Sequence, residues 1–304
     1  MDVQNTPKQA FLDYLEQAIL DSLIDEVSAT PKPGLVDLHD SGAHTDMDFD
    51  TFMSSAEAIT PYLAAMAKLG TELGTELRTS DSTMAESLFL AIRPIGIEAE
   101  TAMFAATGGV NTHKGMIFSM GMIAAAAGFI FSQNHKVCSD DILMFCRPMC
   151  RLPLEKDFEA ITLRGPQTHG ERLYVTYGCR GIRGEAADGF PSIRTHALPI
   201  LREQIHQSPG DWNQVCLRTL LELMAEVDDT NIRFRTDYPS LLYAKESARS
   251  ILSIDGDFTV CTIPALEQLN LDFIKRNISP GGCADLLAIT LFLWRLEQFS
   301  LTNQ

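Results

Sequence analysis

The sequence predicts an all-α protein, a single-domain bundle of about ten or more helices. Apolar residues recur at intervals of three and four, as in the stripe formed by Phe11, Leu15, Ile19 and Leu23. Segments with the alternating pattern of strands are sparse. No repeat, low-complexity tract or long linker divides residues 1–304, and a hydrophobic content of 45% is ample for one core. We therefore expect one domain whose active site lies in glycine-rich loops and helix N-termini at one end of the bundle.

The first five helices follow from apolar spacing and from the turn residues between them. The stripe above forms the first helix, and Asp46, Asp48 or Asp50 can cap the second. Because proline lacks a backbone donor, Pro61 and Pro94 should kink or split the second and third helices. The predicted segments are 11–23, 52–69, 82–106, 112–132 and 140–151.

The second half of the chain predicts further helices. Leucine-rich stripes mark two of them, near Leu217 and near Leu286. Residues 153–167 are the least regular stretch and could form a surface loop or a boundary. The predicted helical segments are 169–177, 192–207, 211–227, 238–252 and 264–276, and the apolar stripe at 286–293 marks a last helix that follows Gly282.

Charge and composition limit the classes of partner. A net charge of −16 argues against nucleic acid and against an anionic membrane surface. Residues 1–10 lack the basic start and apolar core of a signal peptide, and the apolar stretch 116–131 is shorter than the ~18 residues of a membrane span. The seven cysteines are scattered without a CxxC pair, which favours reduced core thiols. We expect a cytoplasmic protein with no nucleic-acid or membrane partner.

The run GGVNTHKG at 108–115 is the first candidate site. An apolar segment follows it, so Asn111 or Thr112 can cap a buried helix whose free N–H groups face His113 and Lys114. Glycine lets the backbone approach a ligand closely, and a helix N-terminus attracts anions. The run predicts a phosphate site, although an ordinary glycine-containing turn has the same pattern.

Two other segments carry carboxylates that could bind a divalent cation. The loop 37–48 is crowded with aspartate and histidine, and Asp37 is its best candidate. The other pair, Asp228 and Asp229, lies at the negative end of helix 211–227, so bound Mg²⁺ or the following arginines should compensate its charge. Turn and cap roles would explain these aspartates as well.

The segment RGIRGEAADGF is the best candidate for catalysis. Arg180 and Arg183 can clamp a phosphate, and Glu185 and Asp188 can act as a general base or as further metal ligands. The alternative is an exposed glycine-rich turn held by surface ion pairs.

The segment SPGGCADLLA repeats the pattern of a phosphate site. Ser279, Gly281 and Gly282 precede a helix, and Asp285 falls in its first turn. An aspartate in that position can also simply complement the helix dipole.

Together these segments resemble the triphosphoribosyl-dephospho-CoA synthase family, which builds the prosthetic-group precursor of the citrate lyase and malonate decarboxylase acyl carrier proteins. The motifs PKPGLVD, GVNTHKG, RGEA and SPGGCADLL carry this resemblance, which runs in order from Glu26 to Leu293. The Asp-Thr-Asn at 229–231 also matches. The sequence departs from the family at Asp228 and at 234–236, because the family usually has glycines around these positions.

The resemblance implies transfer of the triphosphoribosyl group of ATP to the 2′-hydroxyl of 3′-dephospho-CoA, with release of adenine. The family's product is α-linked where ATP is β-linked, which implies one inverting displacement between a carboxylate base and a proton donor. We predict Glu185 as the base, His113 as the donor and Asp188 as a further catalytic residue. For nucleotide and phosphate binding we predict Lys32, Gly34, Gly109, Asn111, Thr112, Lys114, Arg180, Arg183, Ser279, Gly281 and Gly282. For binding Mg²⁺ we predict Asp37, Asp229 and Asp285.

The resemblance also implies that the product passes to an apo-acyl-carrier-protein transferase, and the NTHKG run favours the citrate lyase branch. Two other classes of function stay open. A metal-dependent all-α ADP-ribosyl or nucleotide hydrolase would use similar loops, with water in place of the 2′-hydroxyl. A non-catalytic nucleotide sensor would bind ATP without turnover.

Overall fold

The computed structural model describes residues 7–76 and 82–302, and these ranges contain thirteen α-helices and two π-helical turns. No strand occurs within them, which confirms the all-α prediction. The helices are α1 Pro7–Ser28, α2 Phe49–Glu76, α3 Ser82–Ala106, α4 Lys114–Asn134, α5 Ser139–Arg164, α6 His169–Tyr177, α7 Gly181–Ala187, α8 Leu198–Gln207, α9 Trp212–Glu226, α10 Thr230–Arg235, α11 Tyr238–Leu252, α12 Ile263–Arg276 and α13 Gly281–Thr302. The π-helical turns are Ile193–Ala197, before α8, and Phe258–Thr262, before α12.

Helix α4 is the central helix of the core. It packs against α2 so closely that glycine is required at the contact. A Cβ at Gly70 would lie 2.1 Å from the carbonyl oxygen of Ala125, and a Cβ at Gly128 would lie 2.1 Å from that of Ala67. Among the described helices α4 is the one long and apolar enough to cross a membrane, but 83% of its most apolar window is buried inside the protein. That burial is typical of a core helix in a globular fold.

Buried side chains from α1 to α13 form one hydrophobic cluster. Phe11 of α1 stacks on Phe131 of α4 with ring centroids 3.9 Å apart, and Phe299 of α13 packs edge-on against both rings. The two ends of the described chain therefore share one core, as a single helical domain requires.

Prolines interrupt the helices less than the sequence suggested. Helix α5 continues through Pro148 and Pro153, so the predicted loop or boundary at 153–167 is wrong. Buried apolar residues lie on both sides of these prolines, and their packing offsets the hydrogen bonds that proline removes. Pro61 and Pro94 likewise lie inside α2 and α3, neither of which is split.

Two segments that the sequence suggested as loops form short helices. The RGIRGEAADGF segment becomes α7, and the Asp-Thr-Asn segment opens α10. The starts of α4, α7, α10 and α13 and the loop between α1 and α2 all reach one cleft. The short helices therefore fix which side chains of their motifs can face a substrate.

Candidate active site

A cleft of about 610 Å³ opens where these five segments meet. Most of the predicted site residues line it, so motifs that are far apart in the sequence are brought together. These residues are Asn111, Thr112, His113, Lys114, Arg180, Glu185, Asp188, Asp229, Ser279, Gly281, Gly282 and Asp285.

Asp285, just after the first turn of α13 rather than within it as expected, lines the cleft beside the start of α4. A Cβ at Gly115 would lie 2.5 Å from Asp285 Oδ2, so glycine lets this carboxylate lie directly against the start of α4. No residue in the described part of the chain hydrogen-bonds to this carboxyl group. Burial, followed by the charges of Glu26 and Asp229, raises the pKa of Asp285 well above its usual range. The carboxyl group is therefore available to a ligand. Its charged form is unfavourable unless a cation binds it.

Asp229 joins the starts of two helices. Its Oδ1 accepts hydrogen bonds from the N–H groups of Asn231 at 2.7 Å and Ile232 at 3.4 Å, and its Oδ2 accepts one from the N–H of Cys283 at 2.9 Å. Gly282 allows this approach, because a Cβ there would lie 3.0 Å from Asp229 Oδ2. Burial raises the pKa of Asp229, and the three N–H groups oppose that shift. The carboxylate thus caps α10 and fixes the start of α13.

The aspartate pair after α9 is not compensated by the arginines that follow it. Asp228 forms an ion pair with Lys245 at 2.8 Å, and Asp229 faces helix N-termini, where negative charge is stabilised. Arg233 packs over two tyrosine rings, and Arg235 donates to backbone carbonyls of neighbouring loops. The expectation that either arginine compensates the pair is wrong.

His113 is buried at the N-cap position of α4. Thr112 Oγ1 donates to Ser55 Oγ at 2.7 Å, and Ser55 Oγ lies 2.7 Å from His113 Nδ1. Since Ser55 accepts from Thr112, we assign its own proton to Nδ1, which leaves the ring proton on Nε2. Burial, followed by the charge of Lys32, lowers the pKa of His113 to about 3. The ring is neutral at physiological pH, which corrects the expectation that its titration range suits a proton donor.

The side chain of Glu185, in α7, is held by two hydrogen bonds from Ser192. Its Oε1 accepts from Ser192 Oγ at 2.7 Å, and its Oε2 accepts from the Ser192 N–H at 3.2 Å. Burial raises the pKa of Glu185, while the bonds from Ser192 lower it in part. Asp188 is exposed instead and pairs with Arg180 Nη1 at 3.2 Å. Of the two carboxylates, Glu185 is the one held in a fixed orientation beside the cleft.

Two cations of the cleft have partners that a phosphate can replace. Lys114 Nζ lies 2.6 Å from Glu100, with half of the lysine side chain exposed, and Arg180 pairs with an exposed aspartate. Asn111 Oδ1 accepts from the Lys114 N–H at 3.2 Å, whereas His113 at the N-cap position makes no side-chain cap bond. Exposed ion pairs contribute little stability, so exchange of these partners for a phosphate costs little.

Lys32 and Asp37 do not line the cleft. Lys32 is fully buried, and its ammonium bonds the carboxylate and, at 2.6 Å, the backbone carbonyl of Glu26. The Asp37 carboxylate accepts four hydrogen bonds at 2.8 to 3.0 Å, from one hydroxyl and three backbone N–H groups of its own loop. Both side chains therefore stabilise the loop after α1, and neither is placed to contact a phosphate or a metal ion in the cleft.

Three further predicted residues also lie outside the cleft. Gly34 has a φ of 71° and packs against the backbone of Ile278, which a Cβ would approach to 2.1 Å. Gly109, with a φ of 94°, ends α3 by donating its N–H to the carbonyl of Phe104 at 2.8 Å. Arg183 points away because the segment is a helix, so this side chain emerges opposite the cleft-facing residues of α7.

The cleft also contains residues that the sequence reasoning did not select. His44 Nε2 lies 2.8 Å from Ser279 Oγ, and burial, followed by a neighbouring guanidinium, lowers the pKa of His44 to about 4. Phe234 stacks on His169 with ring centroids 3.7 Å apart. His44 belongs to the aspartate- and histidine-rich loop that was considered only for metal binding. Phe234 had no signal, because it lies where the sequence departs from the family.

The donor set fits a magnesium ion that arrives with a nucleotide. Carboxylates outnumber the cations Lys114, Arg180 and Arg235 among the lining residues. Within the described ranges no three histidine, cysteine, aspartate or glutamate side chains converge as a metal cluster. Asp285 and Asp229 would supply one or two carboxylates, which is the usual protein share when Mg²⁺ is also bound by substrate phosphates. These described residues do not form a metal site made of protein ligands alone.

Comparison with known proteins gives a consistent result. The profile of a family described as ATP:dephospho-CoA triphosphoribosyl transferase matches residues 12–303. A probable 2-(5''-triphosphoribosyl)-3'-dephosphocoenzyme-A synthase of Vibrio cholerae serotype O1 is 42% identical over 273 residues, which cover 90% of this chain and 85% of the relative. The 2-(5''-triphosphoribosyl)-3'-dephosphocoenzyme-A synthase of Klebsiella pneumoniae is 37% identical over 283 residues, covering 91% and 88%.

A third relative, from Streptococcus pyogenes, carries the same name with the word probable and is 37% identical over 300 residues, covering 95% of this chain and 99% of its own. No solved structure matches the chain. The family resemblance predicted from the motifs is confirmed over nearly the full length. The chain belongs to the ATP:dephospho-CoA triphosphoribosyl transferase family.

Proposed function

We propose that this protein transfers the triphosphoribosyl group of ATP to the 2′-hydroxyl of 3′-dephospho-CoA and releases adenine. The observation that carries the proposal is the Glu185 carboxylate, which lines the cleft and is held by Ser192 through both of its oxygens. Family membership supplies the reaction, and this side chain supplies the base that the reaction needs.

Glu185 takes the proton of the 2′-hydroxyl as that oxygen bonds to C1 of the ATP ribose. The bond between C1 and N9 of adenine breaks in the same displacement, and its electron pair leaves with the purine. The raised pKa makes Glu185 a stronger base than an exposed carboxylate, because burial disfavours its charged form. Ser192 keeps the carboxylate in one orientation, so its lone pairs stay aimed while the substrates bind.

His113 assists as a neutral hydrogen-bond donor. The proton chain from Thr112 through Ser55 to Nδ1 leaves Nε2–H, and no residue in the described part of the chain takes that donor. A pKa of about 3 keeps the ring neutral, so its Nε2–H group stabilises the negative charge on departing adenine, which then takes its proton from water. Asp188, which is exposed, is the carboxylate partner that Arg180 gives up when it binds a phosphate.

The triphosphate of ATP binds to the cationic side chains of the cleft. Lys114 and Arg180 exchange their exposed carboxylate partners for phosphate oxygens. Because the surrounding cleft is acidic, Mg²⁺ would neutralise part of the triphosphate charge, with Asp285 and Asp229 as its protein ligands. The metal would thus serve binding, and the triphosphate stays intact through the reaction.

The cellular context extends the proposal. The product would pass to an apo-acyl-carrier-protein transferase in the cytoplasm, for citrate lyase or malonate decarboxylase. The NTHKG run at 111–115 favours citrate lyase.

Adenine release from ATP, measured with and without dephospho-CoA, tests the proposed reaction. We expect release to require dephospho-CoA, and mass spectrometry to find a product that contains both the acceptor and the triphosphoribosyl group. Adenine, ADP or free phosphate formed equally well without the acceptor would overturn the proposal in favour of a hydrolase. Tight ATP binding without any turnover would overturn it in favour of a sensor.

A further inference from the structure

We infer that a second cavity, behind the start of α4, binds the diphosphopantetheine arm of the acceptor. The inference rests on the proposed function, because that function makes dephospho-CoA the second substrate. Only the nucleoside end of dephospho-CoA carries the reacting 2′-hydroxyl, so the long arm attached at the 5′ position extends away from the reacting ribose. The structure offers an apolar cavity with an unpaired cation next to that cleft.

The cavity has a volume of about 200 Å³ and lies between α2, α3, α4 and α5, with one side chain from α7. Its walls are mainly apolar, with Phe89, Ile92, Ile117 and Leu154 among them. A pantetheine arm is a flexible chain with a dimethyl group and two amides. It fits an apolar cavity with a polar rim better than a second nucleotide would.

Close helix packing does not require the glycine at position 96, which lines the second cavity. At Gly70 and Gly128 a Cβ would lie 2.1 Å from a backbone carbonyl oxygen of the facing helix, so glycine is needed there. At Gly96, inside α3, a Cβ would meet only Met66 at 3.6 Å and another side chain at 4.0 Å. Glycine destabilises a helix relative to alanine, and packing does not explain its presence here. A side chain at this position would project into the second cavity.

Arg183 is the unpaired cation of the second cavity. Its guanidinium makes no hydrogen bond or ion pair with any residue in the described part of the chain. The other cation of the cavity, Arg93, is already paired with Asp157 at 3.1 Å. An unpaired arginine beside apolar walls, in a protein with a net charge of −16, is suited to an anionic group such as the acceptor's diphosphate.

The cavity and the cleft share their boundary. Lys114 lines the cleft and pairs at 2.6 Å with Glu100, which lines the second cavity. Helix α7 also separates the two spaces, with Arg180 facing the cleft and Arg183 facing the cavity. An acceptor whose ribose lies in the cleft can therefore pass its diphosphate between these cations and place its arm against α3.

Filling the cavity tests the inference. Gly96→Leu should raise the KM for dephospho-CoA about 10-fold or more while the KM for ATP stays within about twofold of wild type. Gly96→Ala removes the same glycine but fills less of the cavity, so it should raise the KM for dephospho-CoA less than Gly96→Leu does. An unchanged KM for dephospho-CoA in folded Gly96→Leu would overturn the inference.

Removing the cation gives an independent test that does not depend on how Gly96→Leu folds. Arg183→Gln should raise the KM for dephospho-CoA by about 10- to 100-fold more than the KM for ATP, the range for losing one charge-assisted hydrogen bond. Arg172→Gln, at an exposed arginine of α6 outside both spaces, is the control. Equal effects of Arg183→Gln on both substrates would contradict the assignment.

The outcomes separate this inference from the proposed function. If the wild-type protein releases no adenine in the presence of dephospho-CoA, the proposed function fails. If that reaction proceeds and both cavity variants keep the wild-type KM for dephospho-CoA, only the second cavity is wrongly assigned.

Discussion

Ser192→Ala tests how the structure sets the basicity of Glu185. The Ser192 hydroxyl donates to Glu185 Oε1 at 2.7 Å and favours the ionised carboxylate. A hydrogen bond to a charged group contributes about 1.5 to 3 kcal/mol, and 1.36 kcal/mol corresponds to one pKa unit, which gives a shift of about 1 to 2 units. The Ser192 N–H remains and water can replace the hydroxyl, so we expect about 1 unit. Because the base must be ionised, the raised pKa moves the acidic limb of activity to higher pH.

The assay is the pH dependence of kcat/KM for dephospho-CoA, which reports the ionisation of the free enzyme. Ser192→Ala should move the acidic limb upward by about 1 pH unit. Ser192→Thr keeps a hydroxyl and should restore the wild-type position. An active Ser192→Ala protein whose acidic limb coincides with that of wild type would refute the role of this hydrogen bond.

Three other perturbations probe the cleft. Lys114→Ala should weaken ATP binding by about 1.5 to 3 kcal/mol, measured by titration, and unchanged affinity would remove Lys114 from the phosphate site. His113 is buried neutral with a pKa of about 3, below its unfolded value, so the free energy of unfolding should fall as pH drops below about 6.5, by about 2 kcal/mol at pH 5. Urea unfolding at both pH values should show a flatter dependence for His113→Gln than for the exposed control His206→Gln, and equal slopes would contradict this assignment. Chelation should abolish activity that Mg²⁺ restores, and Asp229→Asn should lose activity in the same assay; full activity of that variant would leave Asp229 a capping role alone.

The sequence predicts most of the helices, because apolar residues at intervals of three and four record which face is buried. It failed where local signals and packing disagree. The stretch that begins at Pro153 suggested an interruption, yet the apolar face of α5 continues across it. Helices α7 and α10 are too short to show a periodic stripe, so their sequences suggested loops.

The motifs of the site were predictable, but the direction of individual side chains was not. Family-like segments identified Glu185 and Asp285, and both line the cleft. The sequence predicted Lys32 as a phosphate ligand, but in the structure it is buried in an ion pair with Glu26. The turn after α1 brings these two side chains together, and the sequence did not reveal that turn. The orientation of Arg183 likewise depends on the segment being a helix rather than a loop.

Adenine release by Glu185→Gln in a single turnover, with both substrates saturating, tests the central claim most directly. Glutamine keeps the size and reach of the side chain but cannot accept the proton of the 2′-hydroxyl. A positioned base contributes about 10²- to 10⁴-fold, so the rate should fall by that factor while ATP binding stays nearly intact. A rate within about threefold of wild type, well below that range, would contradict the assignment and remove Glu185 from the chemical step.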